Sequence, residues 1–380
     1  MSLDILFAAE SLLPARGGAE RFALELLEEL AGRGHRVRAL WLSGGGDAAA
    51  AVHALPGGVD GRELPAPPRD PANYWAAIDA RRDVLTAAVR AETAPDVAIT
   101  QLHGAPAALE ARAPFVVLLP SYESLCKIAH GPGAEVLADS VRPLCPPPRD
   151  CVGCPLAEPG AGPSRRAQDA ALAGAHALLA CSEAVAAAAR AWTGHRNVVA
   201  DRCVAVAPAA DGAHGGHVLL AAGVWAIHKG VALLEPITAG LGGRGVVVTA
   251  AGLSASTAAR LAVLGADLRD APIARALDGA RACVVPSQWP EPFCRIACEA
   301  QACGVPVIAP RTGGLPEHVA AGGLLAPDAG PADYVAAVRS LDDVSAWEYA
   351  SAAARAAAGA VLSEEPLART ADAVEAAAAA

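Results

Sequence analysis

The sequence predicts an α/β protein made of two successive doubly wound domains facing a cleft. Three observations carry that reading. Short apolar runs alternate with helical patterns along nearly the whole chain, the first crossover is glycine-rich, and a turn-rich link splits the alternation into two series. Strand, helix, strand in that order calls for parallel sheets with helices on their faces.

The first series opens with an apolar run over residues 3–9 and a loop over 11–18 ending in Gly17-Gly18. From Ala19, the residues Phe22, Leu26, Leu27 and Leu30 recur at helical spacing, and Gly32 and Gly34 stop the pattern. A second strand follows over 37–42, then buried strands over 96–100, 115–119 and 177–180, with helices between. Residues 43–70 and 142–165 are rich in proline and glycine and read as long loops. A strand over 202–206 leads into the link Ala207-Pro208-Ala209-Ala210-Asp211-Gly212.

The second series comprises a strand over 218–222, a helix over 231–241 and a strand over 246–251. After a short strand–helix region come a strand over 282–285, a helix over 295–302 and a strand over 305–309. Residues 346–380 are helical by composition, broken around 363–366.

Composition narrows the function classes. At about 150 residues per domain, a chain of this size holds two to three domains. The 40 acidic residues outnumber the 30 basic ones and give a formal charge of −10. Such a surface is repelled by phosphate backbones and anionic lipid, and no basic patch offsets it, so nucleic acid and membrane are not expected partners. A hydrophobic fraction of 53% with 18% charged residues excludes a disordered chain. The longest strongly apolar stretches, such as residues 218–227, are about ten residues, too short for about 30 Å of hydrocarbon. The N-terminus carries Asp4 and Glu10 and has no basic region, unlike an export signal. A cytoplasmic chain is expected, with its 10 cysteines as reduced thiols or metal ligands.

Chemistry concentrates in residues 283–317. A strand leads through Ser287-Gln288-Trp289-Pro290-Glu291-Pro292-Phe293 into a helix that carries Glu299 and closes at Gly304. Glu291 stands just before the helix, where unpaired backbone N–H groups attract anions. Seven residues separate it from Glu299. Two carboxylates so placed can accept hydrogen bonds from two sets of hydroxyls while the N–H groups hold a phosphate between them, an arrangement suited to a nucleotide sugar. Spacing alone leaves a plainer reading level with it: a first-turn carboxylate and an exposed helical glutamate.

The run PSQWPEPFCRIACEAQACGVPVIAPRTGGLPEHVAAGGLLAP, residues 286–327, resembles the Glu-x7-Glu block of the family 4 retaining glycosyltransferases of GT-B fold. Gly17-Gly18-Ala19-Glu20-Arg21 with Gly34-His35-Arg36-Val37 is similar to that family's N-terminal glycine loop and second strand. Residues 219–230, ending in Lys229-Gly230, are similar to its phosphate-binding stretch.

The resemblance implies an acceptor-binding Rossmann-like domain over residues 1–207, a nucleotide-sugar-binding one over 212–360, and a helix over 361–380 crossing back onto the first. It gives Glu291 the hydroxyls of the transferred sugar and Glu299 the ribose. Lys229 takes the diphosphate, and the backbone at Phe293, Cys294 and Arg295 faces sugar and phosphate. Gly17, Gly18 and Gly223 allow close backbone approach to the donor. Glu291 and Lys229 are the catalytic candidates; Lys229 is one of only two lysines, with Lys127.

Departures from the family pattern are specific. Gly223-Val224 stands where Gly-Arg is usual, so one expected cation is missing, and His228, Arg295 or Arg311 is left to replace it. Pro120 stands where a sugar-contacting histidine is usual, which leaves Ser121 or Glu123 to reach the cleft. His103, at a strand end, is either a buried or rim histidine or a cleft residue. Cys294 replaces a usual glycine and would crowd the sugar; with Cys298, four residues on, it reads as sharing a helix face.

Cys126, Cys145, Cys151 and Cys154 admit two readings, a four-thiolate structural zinc site or thiols packed under a proline-rich loop. The resemblance implies no required cofactor, a nucleoside-diphosphate sugar as co-substrate with UDP favoured, and no divalent metal at the diphosphate. The expected activity is retaining transfer to a small soluble acceptor, as in specialised-metabolite biosynthesis. The alternatives are a catalytically impaired binding or partner protein of the same fold, and a nucleotide-sugar hydrolase or epimerase.

Overall fold

The computed structural model describes residues 1–12, 18–42, 55–67, 74–122, 125, 161–200, 209–243, 245–362 and 365–380. They divide into two compact units, one holding the described parts of 1–125 and 161–200 together with 365–380, the other 209–362.

In chain order the first unit contains β1 (Asp4–Ala9), α1 (Gly18–Gly32), β2 (Arg36–Leu42), β3 (Val59–Leu64), α2 (Tyr74–Ala91) and β4 (Val97–Gln101). A short α3 (Ala105–Ala108), β5 (Phe115–Leu119), α4 (Ala161–Gly174), β6 (Ala177–Ala180), α5 (Glu183–Thr193) and β7 (Val198–Ala200) follow. The strands form one parallel sheet in the order β3-β2-β1-β4-β5-β6-β7, so chain direction across the sheet reverses between β1 and β4. Central strands are buried on both faces, with Ile5, Phe7, Val97 and Val116 all fully covered. That is why they read as continuous apolar runs rather than alternating ones. The apolar stripe of α1 buries Phe22, Ala23, Leu26, Leu27 and Leu30.

Two loop readings need correction. β3 lies inside residues 43–70, and α4 begins within 142–165, at Ala161. The sequence of β3, Val-Asp-Gly-Arg-Glu-Leu, buries only its two ends. As the edge strand beside β2 it needs no apolar run, and its backbone pairing is what defines it. The strand expected over 202–206 falls outside the described residues.

The second unit contains β8 (His217–Leu220), α6 (Leu234–Gly240), β9 (Val246–Thr249), α7 (Ala255–Val263), β10 (Asp267–Arg269), α8 (Ile273–Leu277) and β11 (Ala280–Val284). Then come α9 (Arg295–Ala302), β12 (Val307–Pro310), β13 (Leu324–Leu325), α10 (Pro331–Ser340) and α11 (Val344–Gly359). Its parallel sheet runs β10-β9-β8-β11-β12-β13, reversing between β8 and β11. Separate apolar cores form on its two faces. Ile296, Ala297 and Ala300 of α9 join one, while Leu234, Ile237, Tyr334 and Val338 of α6 and α10 join the other.

The last helix, α12 (Glu365–Ala378), belongs to the first unit and packs on α1. Ala371, Val374 and Ala377 are fully buried there. Arg33, at the end of α1's neighbouring turn, donates to Asp372 at 2.6 Å, Glu375 at 2.8 Å and the Ala368 carbonyl at 3.1 Å. The His35 ring accepts the Leu3 N–H at Nδ1, which leaves Nε2–H to donate to Glu375 at 3.1 Å.

Hydrogen bonds from Arg33 and then His35 hold the Glu375 carboxyl below its ordinary value, with burial opposing them. A carboxyl lowered in the folded state stabilises it above the unfolded-state pKa, and that contribution is lost as pH falls through the folded one. Glu375→Gln is therefore expected to cost up to about 1 kcal/mol at neutral pH. In thermal melts the gap to wild type should close below about pH 4.

Candidate functional site

The carboxyl ends of β8 and β11 flank the reversal of strand order in the second sheet, the place where open parallel sheets leave a crevice. The segments following these two strands meet there. After β8 the chain reaches a tight turn, Ile227–Lys229, closed by Gly230 with φ of +82°. A Cβ at Gly230 would collide with the Pro286 carbonyl oxygen, so only glycine lets this turn lie against the end of β11. The Gln288 N–H donates to the His228 carbonyl at 2.9 Å, and the Ser287 hydroxyl reaches the same carbonyl at 3.4 Å.

These ties bring Lys229 onto Glu291. Its Nζ donates to Oε1 at 2.8 Å and to Oε2 at 2.7 Å. The Ser287 hydroxyl donates to Oε1 as well. Lys229 Nζ also stands 5.0 Å from the centre of the Trp289 ring, within cation–π range, and the His228 ring meets that indole edge-on at 4.7 Å. The glutamate backbone is clamped from the other side by the Gly314 N–H, which donates to the Glu291 carbonyl at 2.7 Å. A Cβ at Gly313, φ +56°, would strike the Glu291 main chain.

Burial alone would raise the Glu291 carboxyl. The Lys229 charge and hydrogen bonds, with smaller help from Ser287 and Trp289, outweigh burial and hold it below its ordinary value. Glu291 is therefore an ionised carboxylate whose side chain is 2% exposed, against 24% for Lys229.

Phe293 stacks on His318 with ring centres 4.6 Å apart and fixes the approach to α9. Cys294 caps that helix in the left-handed conformation, φ +75° and ψ +71°, without a side-chain cap hydrogen bond. It does not share a helix face with Cys298, because the left-handed turn places it outside the helix. Burial first, then the Glu291 charge, push its thiol up to about 12, with Lys229 opposing. Such a thiol is neutral and no nucleophile near neutral pH. Glu299 is 7% exposed, which overturns the reading of it as an exposed helical residue. Arg295 lies one turn before it, Nε to Oε1 at 3.9 Å, an ion pair too long for a hydrogen bond.

The other expected residues scatter. Gly223 is exposed with open space beside its Cα, and Val224 next to it is 55% exposed. Arg311 is exposed at the end of β12, its N–H bonded to the Leu325 carbonyl. In the first unit, Gly18 opens α1 and is exposed. His103 is buried in the turn after β4, where its carbonyl accepts from Arg82 Nε at 3.3 Å, and Ser121 is buried just past β5. Gly17, Glu123 and the cysteines 126, 145, 151 and 154 lie outside the described residues. Among the described residues no group of three His, Cys, Asp or Glu side chains is placed to hold a metal, and no helix is long and apolar enough to cross a membrane.

Sequence reasoning did not single out Ser287, Gly313 or Gly314. Ser287 lies four residues before Glu291 and carried a signal only as part of the motif. The two glycines follow by more than twenty residues, and nothing short of the fold brings them to Glu291.

The family model of the glycosyl transferase 4-like domain matches residues 17–209, just over half of the chain. The chain belongs to the glycosyl transferase 4-like family. A second model, glycosyl transferases group 1, matches residues 230–343 and so takes in Glu291 and Glu299, beginning one residue after Lys229. Among curated proteins, the D-inositol 3-phosphate glycosyltransferase of Geodermatophilus obscurus is 48% identical over 79 residues, 20% of this chain and 17% of that protein's length. Among solved structures, Anabaena HepE in complex with UDP-glucose is similar over 97% of this chain and 98% of its own, at 17% identity and TM-score 0.67. Sucrose-phosphate synthase from Thermosynechococcus elongatus is similar over 96% of each chain, at 18% identity and TM-score 0.71. These likenesses establish the fold as the two-domain Rossmann-like GT-B type.

Two outcomes test the local geometry. Cys294→Gly should raise stability by about 1 kcal/mol in urea unfolding, since glycine adopts the left-handed cap without strain. Lys229→Ala leaves the Glu291 carboxylate buried without its cation and should cost about 2–3 kcal/mol, somewhat under the full penalty for a broken buried pair because the lysine is partly exposed.

Proposed function

We propose that this chain transfers a sugar, with retention of anomeric configuration, from a nucleoside-diphosphate sugar to a hydroxyl or other nucleophile on a small soluble acceptor. The observation that carries the reading is the pairing of partly exposed Lys229 with buried Glu291 beside the start of α9, with Glu299 buried further along the same helix. Glu291 accepts hydrogen bonds from hydroxyls of the transferred sugar and Glu299 from the ribose. The diphosphate lies toward the first N–H groups of α9, where the helix dipole favours negative charge. The Lys229 ammonium meets the charge that grows on the leaving phosphate, the term electrostatic catalysis depends on most.

In the reaction the acceptor oxygen bonds to the anomeric carbon on the face from which the diphosphate departs. The bond from that carbon to the phosphate oxygen breaks, and the acceptor proton passes to the released phosphate oxygen. No protein nucleophile takes part. Catalysis comes from orientation and from exclusion of water. Acceptor binding falls to the first unit and donor binding to the second. UDP is the favoured nucleotide, in keeping with the UDP and UDP-glucose complexes of Anabaena HepE. A specialised metabolite made in the cytoplasm is the favoured acceptor.

A second reading, a partner protein with weakened or lost transfer, draws on Val224 in the place of arginine and on Cys294 at a position glycine fits better. Titration calorimetry with UDP, dTDP, GDP, ADP and their glucose conjugates separates the two. Transfer requires that one nucleotide series bind, and that Glu299→Ala weaken it about tenfold or more through loss of the ribose hydrogen bonds. Silence across all eight ligands would overturn the donor site and leave the partner reading.

A further inference from the structure

We infer that the site selects the complete nucleotide sugar against free nucleoside diphosphate, because the Lys229 ammonium that a diphosphate needs is already neutralised by Glu291. The inference rests on the donor reading above and adds to it a preference order and a device for product release.

Glu291 is the fixed member of the pair. Its side chain is almost wholly buried, Ser287 holds Oε1, and the Gly314 N–H holds its carbonyl. Lys229 is the adaptable member, a partly exposed flexible chain on a turn, yet it gives both carboxylate oxygens a hydrogen bond. A diphosphate arriving alone must draw on this ammonium. If it takes Lys229 away, a buried carboxylate loses its cation, a state that costs far more than an exposed one. If it shares Lys229, the negative carboxylate a few ångströms off cancels much of the attraction. Val224 sharpens the conflict, since the residue in the family's arginine position is an exposed, uncharged side chain here.

The sugar resolves it. Hydroxyls are donors, and a carboxylate has room for about four hydrogen bonds. A sugar set against Glu291 replaces what Lys229 withdraws, so the lysine turns to the diphosphate at little cost. Once the sugar has left on the acceptor, Glu291 loses the sugar's hydroxyl donors, reclaims Lys229 and loosens the remaining nucleoside diphosphate. Binding and release are thus coupled through one shared cation.

Calorimetry on wild type and Glu291→Gln tests this, with UDP, dTDP, GDP, ADP and their glucose conjugates as probes. Glutamine keeps the volume and can still accept from Lys229 and Ser287 but carries no charge. The expected result is a free diphosphate bound at least tenfold more tightly by Glu291→Gln than by wild type, with no such gain for its glucose conjugate. Equal or weaker diphosphate binding in Glu291→Gln, with wild type binding both ligands, overturns the inference and leaves the donor site standing. No binding of any probe by either protein removes the donor site and the inference together. Wild type alone gives a second test independent of the variant's folding: the conjugate should bind at least tenfold more tightly than the diphosphate, and parity or the reverse order overturns the inference.

Discussion

A buried glutamate carboxylate held at 2.7–2.8 Å by a partly exposed lysine ammonium is the constraint around which the second unit is arranged. Burying the carboxylate is expensive, and the lysine's attraction offsets that only with near-ideal geometry and further hydrogen bonds. Each nearby irregularity serves that geometry. Gly230 lets the lysine turn lie against Pro286, Ser287 adds a hydrogen bond to the carboxylate, and Gly313 and Gly314 close over the glutamate backbone. The pair also sets the electrostatics of its neighbours. The same carboxylate that Lys229 holds ionised helps push the Cys294 thiol up, which makes that cysteine a steric element rather than a reactive one.

Why the pair sits where it does follows from the sheet. In a parallel sheet the loops at one edge all leave from carboxyl ends, and only at the reversal between β8 and β11 do two such loops diverge to opposite faces. Lys229 comes from the loop after β8 and Glu291 from the loop after β11. The buried apolar residues of the two strands, among them Leu219, Leu220, Cys283 and Val284, are the rigid base from which the loops project. The first unit repeats the plan with its reversal between β1 and β4, and α12 completes its core by burying Val374 and Ala371 beside α1.

Two residues break local rules in the second unit. Cys294 takes a backbone conformation that glycine adopts freely, and Val224 exposes a large apolar side chain. Conflicts between local preference and global fold gather where function rather than stability decides the residue. Cys294 stands at the start of α9 in the left-handed region, and Val224 is 55% exposed in the stretch between β8 and the Lys229 turn.

Strand–helix alternation, the glycine-rich crossover and the Glu-x7-Glu run are local patterns, and the sequence by itself determined them: two parallel α/β units, most strands within a few residues, and the segment that carries the chemistry. β3 escaped because an edge strand is defined by pairing rather than by apolar content. The burial of Glu299 escaped because alanine is abundant through the chain, the helix of Glu299 included, and blurs the contrast between buried and exposed faces. Lys229 and Glu291 were legible separately, each from its own motif. That they hold each other, with Ser287 as a third member, was not, since residues 62 positions apart meet only through the parallel pairing of β8 and β11. Periodicity and capping act over a few residues, whereas an ion pair depends on distance in space, and only the tertiary structure decides that distance.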